Sequence, residues 1–209
     1  MLMKAIILFS SGIDSPVAAY LANKKNIELV GLNFYSEKLD KKYENKLIEL
    51  AKITGLRELY FADHSISHKV YSSKCNKRYQ CVFCKRMMLR IAELLCKKLG
   101  ADFIITGDNI GQVASQTIPN MSVINSVTDI TIIRPVLCFN KNEITDIAKE
   151  IGTYRLNLDF KSSCPFLPTD PVTTIKKHKI EKEESFIDMD KLIQDIENTF
   201  IIEKIKKNL

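Results

Sequence analysis

The stretch "AIILFSSGIDSPVAAYLA" (residues 5–22) constrains this chain more than any other. An apolar run stops at a small, polar, glycine-bearing turn and restarts as an alanine-rich segment with a proline at its head. A strand–turn–helix junction of this composition brings free N–H groups and a partial positive charge to the end of a strand, an arrangement suited to a phosphate. Two common phosphate loops are excluded, because neither G-x-x-x-x-G-K-[ST] nor G-x-G-x-x-G occurs at the turn. What remains is S-x-G-x-D-S. Gly12 has no Cβ to keep the backbone from a phosphate, and Ser10 and Ser15 offer hydroxyls. Ser15 is the expected N-cap, with Pro16 at the first helical position. Asp14 is the odd member: a carboxylate beside phosphates calls for a bridging cation such as Mg²⁺.

Beyond the turn, short β-branched runs alternate with helical periodicity. Strands are predicted over residues 4–9, 27–34, 56–61, 101–107 and 130–136. Helices are predicted over 16–24, 41–54, about 82–98 and 141–151, with Gly55 ending the second and a polar stretch, 62–80, before the third. This alternation predicts an α/β fold with a doubly wound parallel sheet and ligands at the carboxyl ends of its strands. Residues 1–173 are read as one domain closing on the proline-marked loop "KSSCPFLPTDPV". Residues 174–209, where Lys and Glu alternate with Ile and Leu, are read as a helical tail packed on it.

A formal charge of +6 favours polyanionic partners such as nucleotides or RNA, although lysines also serve as plain solubilising surface. No apolar run approaches the ~20 residues of a membrane span, and the first strand begins at once, so a cytoplasmic protein with no membrane partner is expected. Six cysteines in such a chain point to metal, cluster or redox chemistry rather than a disulfide framework.

"SSGIDSPVAAYLA" resembles the PP-loop of ATP pyrophosphatases, with Ser11 standing where S-G-G-x-D-S carries its first glycine. A serine there is strained wherever that loop uses φ > 0. "CVFCKRMMLRIAE" (81–93), "TGDNIGQVASQT" (106–117), "RPVLCFNKNEITDIAKEIGTY" (134–154) and "SSCPFLPTDPVT" (162–173) narrow the match. Together they resemble the catalytic domain of the ThiI-type tRNA 4-thiouridine sulfurtransferases, with Rossmann-like PP-loop fold, up to about residue 184. Those proteins usually carry an RNA-binding THUMP region and sometimes a rhodanese domain. The stretch here matches a stand-alone form, so tRNA is expected to be presented by a separate THUMP-type chain. The resemblance also implies a homodimer.

Position by position, the resemblance implies an ATP site built from Leu8, Phe9, Ser10, Gly12, Asp14, Ser15, Asn33, Phe34, Lys85, Gly107 and Gln116. Lys141 matches a lysine important for activity, suited to neutralising phosphate charge as pyrophosphate leaves.

Cys81 and Cys84 form C-x-x-C at a predicted helix start, where thiolates are favoured. Such a pair fits a redox couple, half a zinc site or part of an iron–sulfur cluster. Cys164 corresponds to the family's reactive cysteine, and archaeal relatives with all three positions use them for an iron–sulfur cluster (4Fe-4S or 3Fe-4S). Three protein ligands around a four-iron cube would leave one iron open to accept sulfide as sulfur donor; the other source is a persulfide on Cys164. A zinc site would need a fourth ligand, with Cys75, His64 or His68 competing. Cys96 and Cys138 are expected in the core.

The implied reaction adenylates the C4 oxygen of a tRNA uridine and then displaces AMP with sulfur. Two further readings stand beside it. The same adenylation could serve another RNA position or thiamine-type cofactor synthesis, or the loop could belong to a non-catalytic subunit.

Overall fold

The computed structural model of the protein describes residues 3–158, 164 and 166–206. Of the expected loop at 161–172, residues 161–163 and 165 lie outside the described residues, as do 207–209 of the tail.

The strands are β1 (Lys4–Leu8), β2 (Glu28–Tyr35), β3 (Glu58–Asp63), β4 (Phe103–Ile105), β5 (Ile132–Ile133) and β6 (Ile201–Lys204). The helices are α1 (Asp14–Asn23), α2 (Lys41–Thr54), α3 (Ser65–Lys74), α4 (Gln80–Leu99), α5 (Ile118–Asn125), α6 (Lys141–Glu150), α7 (Tyr154–Leu158), α8 (Lys177–Glu184) and α9 (Met189–Glu197). The strands form one sheet in the order β5-β4-β1-β2-β3-β6, parallel except for β6, which runs antiparallel to β3.

Both faces of the sheet are covered, which is why its strands read as unbroken apolar runs. Alternate side chains go to opposite cores. Ile6, Val30, Leu32 and Ile104 join α4, α5, α8 and α9 on one face. Ala5, Ile7, Leu29, Phe103 and Ile105 join α1, α2 and α6 on the other. Local signals set the helix ends: Asp40 accepts from the Tyr43 amide at 2.8 Å, Gly55 ends α2 with φ +79°, and Asn140 with Glu143 forms a capping box on α6.

The chain lays down β1, β2 and β3 in one direction and then crosses to β4 on the far side of β1. The strand order therefore reverses between β1 and β4, the place where doubly wound sheets open a ligand crevice. Gly107, just past β4, is pressed against the start of α1. A Cβ there would lie 2.7 Å from the Ser15 backbone nitrogen and 2.9 Å from the Asp14 carbonyl carbon. Its small size lets the loops after β1 and β4 meet.

Several expected elements differ. Residues 62–80 are not simply polar loop; they hold α3, whose serines and short apolar spacing hid it. α5 and α7 likewise lie outside the predicted helices, and β4 and β5 are shorter than expected. The tail is two helices and then a strand. Adjacent Ile201 and Ile202 pair with the β3 edge, which outweighs the Lys/Glu periodicity around them. Its helices belong to the α4 side of the core: Ile180, Leu192 and Ile196 are buried there, and Glu184 sits between Arg86 and Arg90 of α4. Cys96 is buried as expected, but Cys138 is exposed, because the chain leaves the sheet at Ile133 and turns past Pro135.

Candidate active site

The loop after β1 is closed by its own serines. Ser15 Oγ accepts from the Ser10 amide at 2.9 Å, lies 3.0 Å from Ser10 Oγ, and donates to the Ser10 carbonyl at 3.2 Å. Ser15 is therefore not the N-cap that the sequence suggests. Ile13 holds that position, α1 begins at Asp14, and no side chain caps it. The first-turn N–H groups of a ten-residue helix are left without a side-chain acceptor, as an anion site requires. Neither Ser11 nor Gly12 is among the described residues with φ > 0, so the serine at 11 imposes no backbone strain. Ser11 is simply buried.

Asp14 faces the loop after β4. Burial and the neighbouring Asp108 raise its carboxyl above the usual range, opposed by Lys85 and Lys141. Four elements thus bring two carboxylates and two ammonium groups together: the first turn of α1, the loop after β4, α4, and the first turn of α6. Asp108 is the hub that sequence reasoning missed. It pairs with Lys85, accepts from Thr106 Oγ1 at 2.8 Å and from Gln116 Nε2 at 3.2 Å, and lies 3.3 Å from Arg134 Nε. Burial alone would raise its carboxyl, yet Lys85, Thr106 and Arg134 hold it well below the usual carboxylate range. The "TGD" triplet was its signal, but no local rule gives an aspartate after a strand this role.

One cavity of about 700 Å³ opens beside this cluster. Its walls include Ser10, Gly12, Phe34, Lys85, Cys81, Cys84 and Cys164, together with His64, His68 and Ser115. Of the other expected residues, Leu8 ends β1. Phe9 and Asn33 are buried behind the loop, where Asn33 Nδ2 donates to the Phe9 carbonyl at 2.8 Å. Gln116 is buried against Asp108. Lys141 is the first residue of α6.

All six cysteines are free. Cys81 and Cys84 do lie in the first turns of α4, but burial and the nearby Cys164 push both thiols upward, against the expected stabilisation of their thiolates. Desolvation outweighs the helix terminus. His64 Nε2 is 3.0 Å from Cys84 Sγ, while burial and His68 lower the His64 imidazole to about 3. His68 is lowered to about 4 by burial, opposed by Asp63. Cys75 faces elsewhere, its sulfur 3.9 Å from the Glu183 carbonyl, and so leaves the set of candidate ligands.

The strand order, the S-x-G-x-D-S loop at its reversal and the uncapped helix behind it define a Rossmann-like α/β protein of the PP-loop class. A family model described as "Thiamine biosynthesis protein (ThiI)" matches residues 2–189, and the chain belongs to that family. The chain is 35% identical over 209 residues to a "Probable tRNA sulfurtransferase" of Alkaliphilus metalliredigens, covering 97% of this chain and 53% of that one. A protein of the same name from Methanocaldococcus jannaschii is 39% identical over 188 residues, covering 86% and 48%. The chain thus spans about half the length of the curated relatives it matches. A crystal structure of a 4-thiouridine synthetase–RNA complex with bound ATP superposes with a TM-score of 0.91 at 33% identity, covering 98% of this chain and 55% of that one. NMN synthetase from Francisella tularensis shares the fold, with a TM-score of 0.59 at 15% identity, over 98% of this chain and 78% of its own.

Proposed function

We propose that this chain is the catalytic part of an ATP-dependent tRNA sulfurtransferase that exchanges the C4 oxygen of a uridine for sulfur. The observation that carries the reading is that the phosphate loop and Cys81, Cys84 and Cys164 wall one cavity. The sulfurtransferase relatives and the ATP-bound 4-thiouridine synthetase–RNA complex support it.

In the first step the uridine O4 attacks the α-phosphorus of ATP, the bond to the bridging oxygen breaks, pyrophosphate leaves and the N3 proton is lost. The α1 N-terminus, Ser10 and Gly12 receive phosphate oxygens, Phe34 on the cavity wall meets the adenosine with Asn33 buried behind it, and Lys85 and Lys141 supply positive charge. Gly107 allows the close approach of the two loops, and Gln116 steadies Asp108. The half-buried Asp14 carboxylate, repelled by nearby Asp108, fits a divalent cation, so Asp14 would hold Mg²⁺, which supplies charge neutralisation on the phosphates. In the second step a sulfur nucleophile adds at C4 and AMP departs with the old oxygen.

Three free thiols on one cavity fit an iron–sulfur cluster (4Fe-4S or 3Fe-4S) on Cys81, Cys84 and Cys164. In its four-iron form it would supply an open iron, a place to hold inorganic sulfide next to the activated base. Cys164, exposed at the cavity, also suits sulfur transfer as a persulfide. The acceptor tRNA is presented by a THUMP-type RNA-binding region, and the working unit is a cytoplasmic homodimer. Among the described residues no helix is long and apolar enough to cross a membrane.

Anaerobically prepared protein is incubated with ATP, Mg²⁺, sulfide, tRNA and the RNA-binding partner, and the nucleosides are analysed. The reading expects 4-thiouridine with AMP and pyrophosphate in equal amounts; AMP release without thiolated nucleoside rejects it. The family description favours a second reading, sulfur mobilisation for a thiamine-type cofactor. ATP turnover stimulated by a sulfur carrier protein and unmoved by tRNA would select that one.

A further inference from the structure

We infer that His64, His68 and Cys84 form a site for a single zinc-class transition-metal ion, separate from the three-cysteine set and sharing Cys84 with it. One ring nitrogen of each histidine and the Cys84 sulfur lie within 4.8 Å of one another. A tetrahedral zinc with bonds of about 2.0–2.3 Å holds its ligands about 3.5 Å apart, so closure needs side-chain movement of about an ångström. Imidazole and thiolate donors together suit zinc-class ions. The residues of a four-iron cube reach different iron atoms, whereas these three converge on one point.

The histidines are prepared as ligands. His64 is the N-cap of α3 and His68 follows four residues later, so both rings project from the same side of one helical turn. Both residues are almost fully buried and hold each other edge to face, with ring centroids 4.6 Å apart. Ser67 Oγ lies 2.8 Å from both the His64 carbonyl and His64 Nδ1, so when it donates to the carbonyl it offers an acceptor for an Nδ1 proton. In that tautomer the bare Nε2 faces Cys84 Sγ at 3.0 Å. On His68 the Gln80 side-chain amide lies 2.8 Å from Nδ1, and with its oxygen turned to that nitrogen it accepts the Nδ1 proton and leaves Nε2 for the ion. Such outer partners on the second ring nitrogen are what hold metal-binding histidines in place. Phe166 stacks on His68 with centroids 4.1 Å apart and closes the site from the side of Cys164. Binding releases one proton, from the Cys84 thiol, and leaves a fourth position open to water or to Cys81.

Because Cys84 cannot serve both centres, zinc and the proposed cluster exclude each other. That consequence rests on the cluster reading; the ion site does not. The test is titration of anaerobic, chelator-stripped full chain with Co²⁺ and then Zn²⁺. One equivalent of Co²⁺ should give a near-ultraviolet thiolate charge-transfer band and tetrahedral visible bands, both abolished by one equivalent of Zn²⁺. Ser67→Ala, which keeps all three ligands, should weaken binding about 10–100-fold. His68→Gln should remove the tetrahedral bands, while Cys81→Ser should retain them. Absence of a thiolate band in the wild-type chain, or unchanged Co²⁺ binding in both Ser67→Ala and His68→Gln, overturns the inference. Iron and sulfide reconstitution in parallel separates the two centres. His68→Gln should still take up a cluster, and a chain that takes up Co²⁺ as described but no iron refutes only the cluster.

Discussion

Replacing Glu184 with glutamine should remove about 3–5 kcal/mol of folding stability, because it strips the charge from a buried carboxylate and leaves two guanidinium groups facing a neutral amide. Glu184 accepts from Arg86 Nε at 2.8 Å and Nη2 at 2.7 Å, and from Arg90 Nη1 and Nη2 at 2.8 Å each. Arg86 is 2% exposed, so water cannot take the place of the lost charge. It keeps its bonds to the Val123 carbonyl and Ser126 Oγ, which limits the loss. A second route gives a similar figure. Burial opposes ionisation of Glu184, but Arg86 and Arg90 lower its carboxyl from 4.5 to about 2. A displacement of that size corresponds to about 3 kcal/mol. Since the folded-state value lies below the unfolded one, this stabilisation is complete above pH about 4.5 and fades as the pH falls toward 2. Urea unfolding followed by circular dichroism at pH 7 should show the midpoint of Glu184→Gln lowered by about 1–2 M, taking a slope of about 2–3 kcal/mol per M. The gap to wild type should narrow as the pH drops below 4. Glu183→Gln is the control, since Glu183 meets the Asn76 amide at an exposed position and should cost under about 1 kcal/mol. A Glu184→Gln midpoint within 0.3 M of wild type at pH 7 (about 1 kcal/mol), or a gap that widens in acid, refutes the reasoning.

Gly107→Ala should leave the secondary structure intact yet weaken ATP binding more than tenfold by calorimetry, because the new methyl group would drive the loop after β4 away from Ser15. Ser11→Gly should change ATP affinity by less than about threefold, under 1 kcal/mol, since residue 11 needs no left-handed backbone. Asp14→Asn should erase most of the Mg²⁺ dependence of ATP binding while leaving metal-free binding unchanged or tighter, as one of two repelling carboxylates is gone; equal Mg²⁺ dependence in both proteins would contradict the cation role. Asp108→Asn should release Lys85 and Arg134 and lower the turnover of ATP at least tenfold, measured as pyrophosphate release.

What the sequence discloses is what neighbouring residues settle among themselves. The first strand, turn and helix were legible because their signals lie within eighteen residues, and Asp40 and Gly55 bound α2 by purely local chemistry. Ser15 was misread since its hydroxyl has two uses, and the bond to Ser10 won over the cap. Asp108 was illegible because its partners come from α4, from the 114–116 turn and from the segment after β5, which only the sheet order brings together. His64 and His68 entered the sequence reading merely as competitors for a ligand position; their convergence on Cys84 depends on α3, which its polar composition concealed. β6 needed the open side of β3, more than a hundred residues earlier, to become a strand.

The register of α4 has a mechanical consequence. Cys81, Cys84 and Lys85 stand at i, i+3 and i+4, so one rigid rod carries the thiols and the ammonium group that grips Asp108. A single residue inserted after Cys84 would turn the two ends of that rod by about 100° relative to each other. Whatever moves the sulfur end of the cavity moves the phosphate end with it, and evolution can retune the two only in step.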